Sequence, residues 1–126
     1  MSTLKADTIQ NTSGGAATLT KQHAAKAWVN FDGTASGATA RDSFNLSSMT
    51  DNGAGDYSVT ISNAVSNANY AASGAAGYAN TNQFCMNVPE SDYSPTTTVL
   101  RVQTPYANTT LGDCSFVAPH IHGDLA

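Results

Sequence analysis

The sequence has little charge. Of its 126 residues, five are Lys or Arg and nine are Asp or Glu, which gives a formal net charge of −4. The basic residues are scattered singly, so there is no basic stripe of the kind that binds DNA or RNA. With 11% charged residues, self-repulsion does not keep the chain expanded. The charge pattern therefore favours a compact protein that acts through shape and polar contacts, with no nucleic-acid partner.

Long apolar runs are also missing. No stretch approaches the roughly 20 apolar residues that cross a bilayer as a helix, so the sequence predicts no membrane insertion. Residues 1–7 lack the apolar segment of a signal peptide. The two cysteines, Cys85 and Cys114, allow one disulfide at most. Because there is no secretion signal, we predict buried free thiols at both positions rather than a disulfide.

Helix-forming residues are scarce. The chain has one Glu and four Gln, and Thr, Asn, Ser or Gly interrupt most segments. The exception is residues 20–27, where Thr20 is a suitable cap for an alanine-rich stretch. We predict one or two helical turns there and no longer helix.

Small residues make up most of what is present. Ala, Gly, Ser, Thr and Asn account for 70 of the 126 residues, which leaves few large apolar side chains for a core. Such a thin core in a compact fold suggests that burial against other chains supplies part of the stability.

Alternating polar and apolar residues between turn signals predict an all-β fold. The clearest pair is a hairpin around residues 51–55, followed by a strand with Tyr57, Val59 and Ile61 facing inward. Phe44 and Leu46 are expected to share the inward face of the preceding strand. We predict an antiparallel, jelly-roll-like β-sandwich over residues 26–126, preceded by an arm with a short strand and a helical turn over residues 1–25. The predicted strands are residues 4–9, 28–31, 41–48, 57–61, 69–75, 83–88, 96–103 and 114–121, with loops at 90–95 and 105–108.

The carboxylates do not predict catalysis. Asp in a turn hydrogen-bonds its own backbone and needs no further role. No base, nucleophile or oxyanion group accompanies them, so an enzyme of unknown type is only a remote alternative. The six aspartates in turn-like contexts are Asp32, Asp42, Asp51, Asp56, Asp92 and Asp113.

Three tyrosines are candidate binding residues. Tyr78, Tyr93 and Tyr106 lie among Asn, Thr and Pro in predicted loops. An exposed Tyr in such a setting suits stacking on sugars or packing against a partner, although the same rings could cap the ends of a thin sandwich. For Tyr70 we favour the capping role.

Four parts of the sequence have distinctive residues in a distinctive order: residues 4–15, 26–33, 41–45 continuing to 51–53, and 123–126. In this order along the chain, they resemble phage tail-fibre proteins of the marine and cyanobacterial type. The resemblance implies a non-enzymatic virion protein, a homotrimer in a fibre or spike, which contacts other virion proteins and a host cell-surface glycan. It would be located in the virion, and in the host cytoplasm during assembly. A full-length tail fibre usually has a further attachment region, so the alternative is a capsid decoration (cement) protein that stabilises the head shell.

A histidine pair near the end of the sequence suggests a metal site. His120 and His122 are two residues apart, so in a strand both imidazoles project from one face. On a threefold axis six imidazoles would converge, which suits an octahedral transition metal. Such sites occur in some trimeric phage fibres and spikes, so the resemblance adds weight. The alternative is two exposed histidines without a ligand, and Pro119 predicts an edge or irregular strand.

Overall fold

The computed structural model describes residues 10–14, 25–78, 85–89, 95–106 and 110–123. Within these ranges the chain forms strands and no helix, and so no helix that could cross a membrane. The strands are β1 (Ala25–Asp32), β2 (Thr39–Phe44), β3 (Leu46–Gly53), β4 (Asp56–Ile61), β5 (Ala71–Gly77), β6 (Val99–Gln103), β7 (Pro105–Tyr106), β8 (Thr110–Leu111) and β9 (Phe116–His122).

Two antiparallel sheets pack together in a sandwich-like arrangement. One sheet has the order β2-β1-β9-β5 and the other β3-β4-β6, while β7 and β8 form a separate two-stranded ladder. Residues 85–89 run beside β6, where Asn87 and Gln103 exchange two backbone hydrogen bonds of 2.9 Å each. The all-β, antiparallel prediction is confirmed, whereas the structure does not show the jelly-roll order.

The core lies between the two sheets. The predicted alternation on β4 is confirmed, because Tyr57, Val59 and Ile61 are all buried. Phe31 of β1 meets Tyr57 edge to face with ring centroids 4.9 Å apart. Fully burying an apolar side chain of this size contributes about 1.5–3 kcal/mol. The remaining buried apolar residues are Ala27, Val29, Ala38, Val65, Leu100, Val102, Cys114, Val117, Pro119 and Ile121.

The β3–β4 hairpin forms where the sequence predicts it. Gly53 and Gly55 have φ values of 131° and 65°, which glycine adopts without strain. The Asp51 carboxylate accepts a hydrogen bond of 3.0 Å from the Gly53 amide, which fixes the start of the turn.

Residues 41–44 and 46–48 form strands as predicted, but the prediction of one continuous strand over 41–48 is wrong, because β2 and β3 belong to different sheets. Asn45 separates β2 from β3 and has a φ of 57°, a left-handed conformation that Asn tolerates. Its side chain holds the crossing in place by donating to the carbonyls of Lys26 (3.0 Å) and Asn63 (3.1 Å). The alternation therefore restarts after Asn45. Leu46 packs against the core, but Phe44 is 53% exposed instead of buried.

Pro119 does not mark an edge strand, since β9 lies between β1 and β5. The β1–β9 ladder has no described pairs between Trp28–His120 and Phe31–Val117. This interruption falls beside Pro119, which has no N–H to donate. A proline is thus accommodated in a central strand by leaving part of one ladder open.

Other boundaries differ from the prediction. Ala25–Ala27 belongs to β1, so the predicted helical turn is wrong there, and residues 20–24 lie outside the described residues. Tyr106 pairs with Thr110, so the predicted loop at 105–108 begins as a strand. The strands predicted at 69–75, 96–103 and 114–121 are β5, β6 and β9 with shifted ends. Of residues 83–88 only Asn87 is seen to pair, and the predicted strand at 4–9 and most of the loop at 90–95 lie outside the described residues.

Candidate binding face

The outer surface of the four-stranded sheet carries exposed aromatic side chains. On β1 and β9 every second residue is buried, so the residues between them point away from the core. Residues paired across an antiparallel ladder share a face, which extends this surface onto β2 and β5. We call it the aromatic face: Trp28, Asn30, Asp32, Asp42, Phe44, Ala71, Ser73, Ala75, Phe116, Ala118, His120 and His122.

One row of the aromatic face crosses all four strands. Phe44 pairs with Trp28, Trp28 with His120, and His120 with Ser73. Trp28 is 36% exposed and Phe44 53%. His120 Nε2 and Ser73 Oγ are hydrogen-bonded at 2.8 Å, so the β5 hydroxyl orients the imidazole. The row presents a continuous line of rings to the outside.

A shallow groove of about 330 Å³ lies beside this row, over the open part of the β1–β9 ladder. Trp28 and His120 lie along it, and Asn30 and Ala118 contribute the neighbouring side chains. Asp42 of β2 is the register partner of Asn30. The groove is thus lined by the indole of Trp28, the amide of Asn30 and the imidazole of His120, and the carboxylate of Asp42 lies on the neighbouring strand.

At the far end of the face, Arg41 is held by several partners. Its Nη2 donates to Asp32 Oδ2 and to the Ser115 carbonyl, both at 2.7 Å, and its Nη1 donates to Asn30 Oδ1 at 3.4 Å. The pKa of Asp32 is lowered, first by the hydrogen bond from the Thr34 side chain and further by the Arg41 charge. Arg41 is therefore engaged within the chain.

The outer surface of the three-stranded sheet has a different character, and its central ion pair was missed by the sequence prediction. Asp56 is 7% exposed and lies in β4, not in a turn. Arg101 of β6 donates two hydrogen bonds to this carboxylate, from Nε to Oδ1 at 2.7 Å and from Nη2 to Oδ2 at 2.5 Å. Gln103 and Asn52 add hydrogen bonds of 3.1 and 3.3 Å. We call Asn52, Asp56, Ser58, Thr60, Arg101 and Gln103 the polar face.

The Arg101 hydrogen bonds lower the pKa of the Asp56 carboxyl, and this outweighs the opposing effect of burial. With every carboxylate oxygen satisfied, this cluster is a structural clamp between β4 and β6. The alternation of β4 and β6 could have revealed it, because Asp56, Ser58, Arg101 and Gln103 all fall on the outward positions of paired strands.

The remaining aspartates have structural partners where they are described. Asp32 and Asp51 form the predicted turn bonds, and Asp42 accepts from the Ser43 amide. Asp113 instead bonds across the fold: its Oδ1 accepts from the Gly55 amide at 2.7 Å and the Tyr57 hydroxyl at 2.8 Å. Burial, followed by this hydrogen bond, raises the pKa of Tyr57. Asp92 lies outside the described residues.

The loop tyrosines occupy unlike positions. Tyr78 directly follows β5 and is 44% exposed, whereas Tyr106 is half-buried in β7. Tyr93 lies outside the described residues. Tyr70 packs against the core and donates to the Val99 carbonyl at 3.3 Å, as expected for a ring that caps the sandwich. A binding role for Tyr78, Tyr93 and Tyr106 stays a prediction.

Both cysteines are free thiols. Cys114 is buried as predicted, and this burial raises the pKa of its thiol. The prediction is wrong for Cys85, which is exposed. Cys85 lies on the segment beside β6, where its amide reaches the Pro105 carbonyl at 3.2 Å and no second sheet covers its side chain in the described structure.

The histidine pair has the predicted geometry within one chain. His120 and His122 project from the same face of β9, with ring centroids 5.1 Å apart and an interplanar angle of 76°. Across the described ranges, no cluster of three or more His, Cys, Asp or Glu residues could hold a metal ion. The metal site stays a prediction that depends on a threefold axis at this pair.

Comparisons with protein-family models, curated proteins and solved structures found no match for this chain.

Proposed function

We propose that this protein is a non-enzymatic structural component of a phage particle. It acts as a homotrimeric, fibre- or spike-like module that assembles on the particle and attaches it to the host surface. The observation that carries the proposal is the aromatic face: three large rings, Trp28, Phe44 and Phe116, are 36–53% exposed on one side of a small sandwich. Exposed apolar clusters on a folded domain are typical of binding surfaces.

The sequence resemblance supports the same function. Residues 26–33 and 41–45, which resemble segments of phage tail fibres, cover most of β1 and β2. These two strands contribute Trp28 and Phe44 to the aromatic face. Two of the segments that suggest a fibre protein therefore supply two of the three exposed rings of the surface that suggests attachment.

A thin core and an open strand edge support association with further copies of the chain, and the resemblance to phage fibres favours three copies. The strand β5 consists of Ala, Ser and Gly alone, and within the described ranges it pairs only with β9, so one of its edges has no strand partner there. Open strand edges are commonly covered by another chain in an assembly.

Sedimentation equilibrium at micromolar concentration tests the trimer. The proposal predicts a mass about three times the 13.0 kDa of one chain, and a stable monomer contradicts it. Immunogold labelling of intact particles tests the location. Label on the tail supports the fibre or spike, whereas label spread over the head contradicts it and supports the capsid-decoration alternative.

A further inference from the structure

We propose that the groove beside Trp28 binds a neutral saccharide, with one hexopyranose ring stacked on the indole. This inference rests on the proposed attachment function and names the ligand class for it. The proposed site lies at the centre of the four-stranded sheet, whereas the sequence predicts binding by the loop tyrosines. The groove of about 330 Å³ is of the size that small-ligand sites have.

Trp28 provides the stacking surface. A pyranose ring has one face covered by C–H groups, and this face packs against an aromatic ring while the hydroxyl groups remain at the edge. Trp28 is 36% exposed and lies between its register partners Phe44 and His120 in the cross-strand row. The Ser73 hydrogen bond to His120 Nε2 fixes the imidazole next to it. An imidazole that is already oriented by Ser73 reduces the entropy cost of binding at that position.

The hydrogen-bonding groups lie beside the ring. Asn30 uses its Oδ1 to accept from Arg41, and its amide Nδ2 has no partner among the described residues. Asp42 uses one oxygen for the Ser43 amide and leaves the second available in the described structure. An amide donor, a carboxylate acceptor and an imidazole nitrogen match the donors and acceptors of sugar hydroxyl groups.

The charges favour a neutral ligand. The Arg41 charge is paired with Asp32 at 2.7 Å, and its Nη2 also donates to the Ser115 carbonyl, so this pair adds no net positive charge that would attract an acidic sugar. Lys26 lies two residues before Trp28 on β1, and Asp42 pairs with Asn30, so the two further charges near the groove have opposite signs. The polar residues also argue against a protein partner on this groove, because the centres of protein interfaces are depleted in charged residues.

Trp28 is the only tryptophan of the chain, so its fluorescence reports on this site alone. The full-length protein is titrated with maltose, cellobiose, lactose and N,N′-diacetylchitobiose, and with 3′-sialyllactose as the anionic comparison. We expect a saturable change in Trp28 emission with at least one neutral sugar and a smaller change with the sialylated one.

Variants locate the site. Asn30→Ala keeps the fluorescent reporter and should weaken the binding several-fold. Trp28→Ala, followed by saturation-transfer NMR and checked for folding by circular dichroism, should weaken it at least about tenfold. Thr60→Ala on the polar face is the matched control and should leave the affinity unchanged.

Three results would overturn the inference. The first is that no sugar of the panel alters Trp28 emission or shows saturation transfer. The second is that folded Trp28→Ala and Asn30→Ala proteins bind as tightly as the parent. The third is that emission changes with protein concentration and not with sugar, which places a second copy on the face. The two proposals can fail separately. If the protein sediments as a monomer and binds sugar, the trimer is refuted and this inference stands. If it sediments as a trimer and binds no sugar, this inference is refuted and the trimer stands.

Discussion

The two sheets present opposite kinds of outer surface. On the polar face, a nearly buried carboxylate is gripped by Arg101 and two amide side chains, so its charges and hydrogen bonds are satisfied within the chain. On the aromatic face, Trp28, Phe44 and Phe116 are 36–53% exposed. The polar face links strands β4 and β6 through hydrogen bonds, and the aromatic face leaves apolar side chains exposed.

This difference separates folding from function. Exposed rings of this size cost solvation energy and return little stability to the chain that carries them. The Asp56 cluster, by contrast, lies against the solvent side of β4 and β6, and both oxygens of its carboxylate accept hydrogen bonds from within the chain. We therefore expect substitutions on the polar face to change stability and those on the aromatic face to change binding.

The largest expected effect is that of Asp56→Ala. Removing the carboxylate takes two charge-assisted hydrogen bonds from the partly buried Arg101 guanidinium, which should lower the free energy of unfolding by about 2–4 kcal/mol. The side chain of Arg101 is 29% exposed, so water offsets part of the loss. Asp42→Ala on the aromatic face is the matched control and should stay within about 0.5 kcal/mol. Urea unfolding of both variants checks the prediction, and equal losses would remove the distinction between the faces.

Acid should act through the same carboxylate. Because the folded-state pKa of Asp56 lies below its ordinary value of 3.8, the pair contributes stability at pH values above that value. This contribution is lost as pH falls from that value through the folded-state pKa, because the unfolded chain takes up the proton at a higher pH than the folded protein does. Asp56→Asn should flatten the fall in unfolding free energy below about pH 4. If the unfolding free energy of that variant falls at low pH as steeply as that of the parent, the acid sensitivity comes from other carboxylates.

The sequence predicts some of this contrast and not the rest, for physical reasons. The alternation of Tyr57, Val59 and Ile61 is local, and a strand with one buried face reveals itself without knowledge of its neighbours. The change of sheet at Asn45 depends on a single left-handed residue held by the carbonyls of distant Lys26 and Asn63, which no local pattern encodes.

The aromatic face was harder to predict for the same reason. Phe44 and Leu46 look equivalent in the sequence, but the crossing at Asn45 sends one outward and the other toward the core. The row from Phe44 to Ser73 joins residues from four strands, so it exists only once the sheet order is known. The sequence predicts binding residues among the loop tyrosines because the composition of a loop can be read from a sequence, whereas neighbours across strands cannot.

The smallest expected effect on stability is that of Phe44→Ser. Since this ring is 53% exposed, the substitution should lower the free energy of unfolding by less than about 1 kcal/mol. The same variant should reduce the change in Trp28 emission on adding sugar, because Phe44 borders the indole. A loss comparable to that of Asp56→Ala would mean that the ring is part of the folding core.

One measurement tests the division between the faces most directly. Amide and indole chemical shifts of the ¹⁵N-labelled protein are recorded while the neutral sugar that alters Trp28 emission is added. The account predicts shifts at Trp28, Asn30, Ala118 and His120, and none at Ser58, Thr60 or Arg101. Shifts centred on Ser58, Thr60 and Arg101, with Trp28 and His120 unmoved, would contradict it.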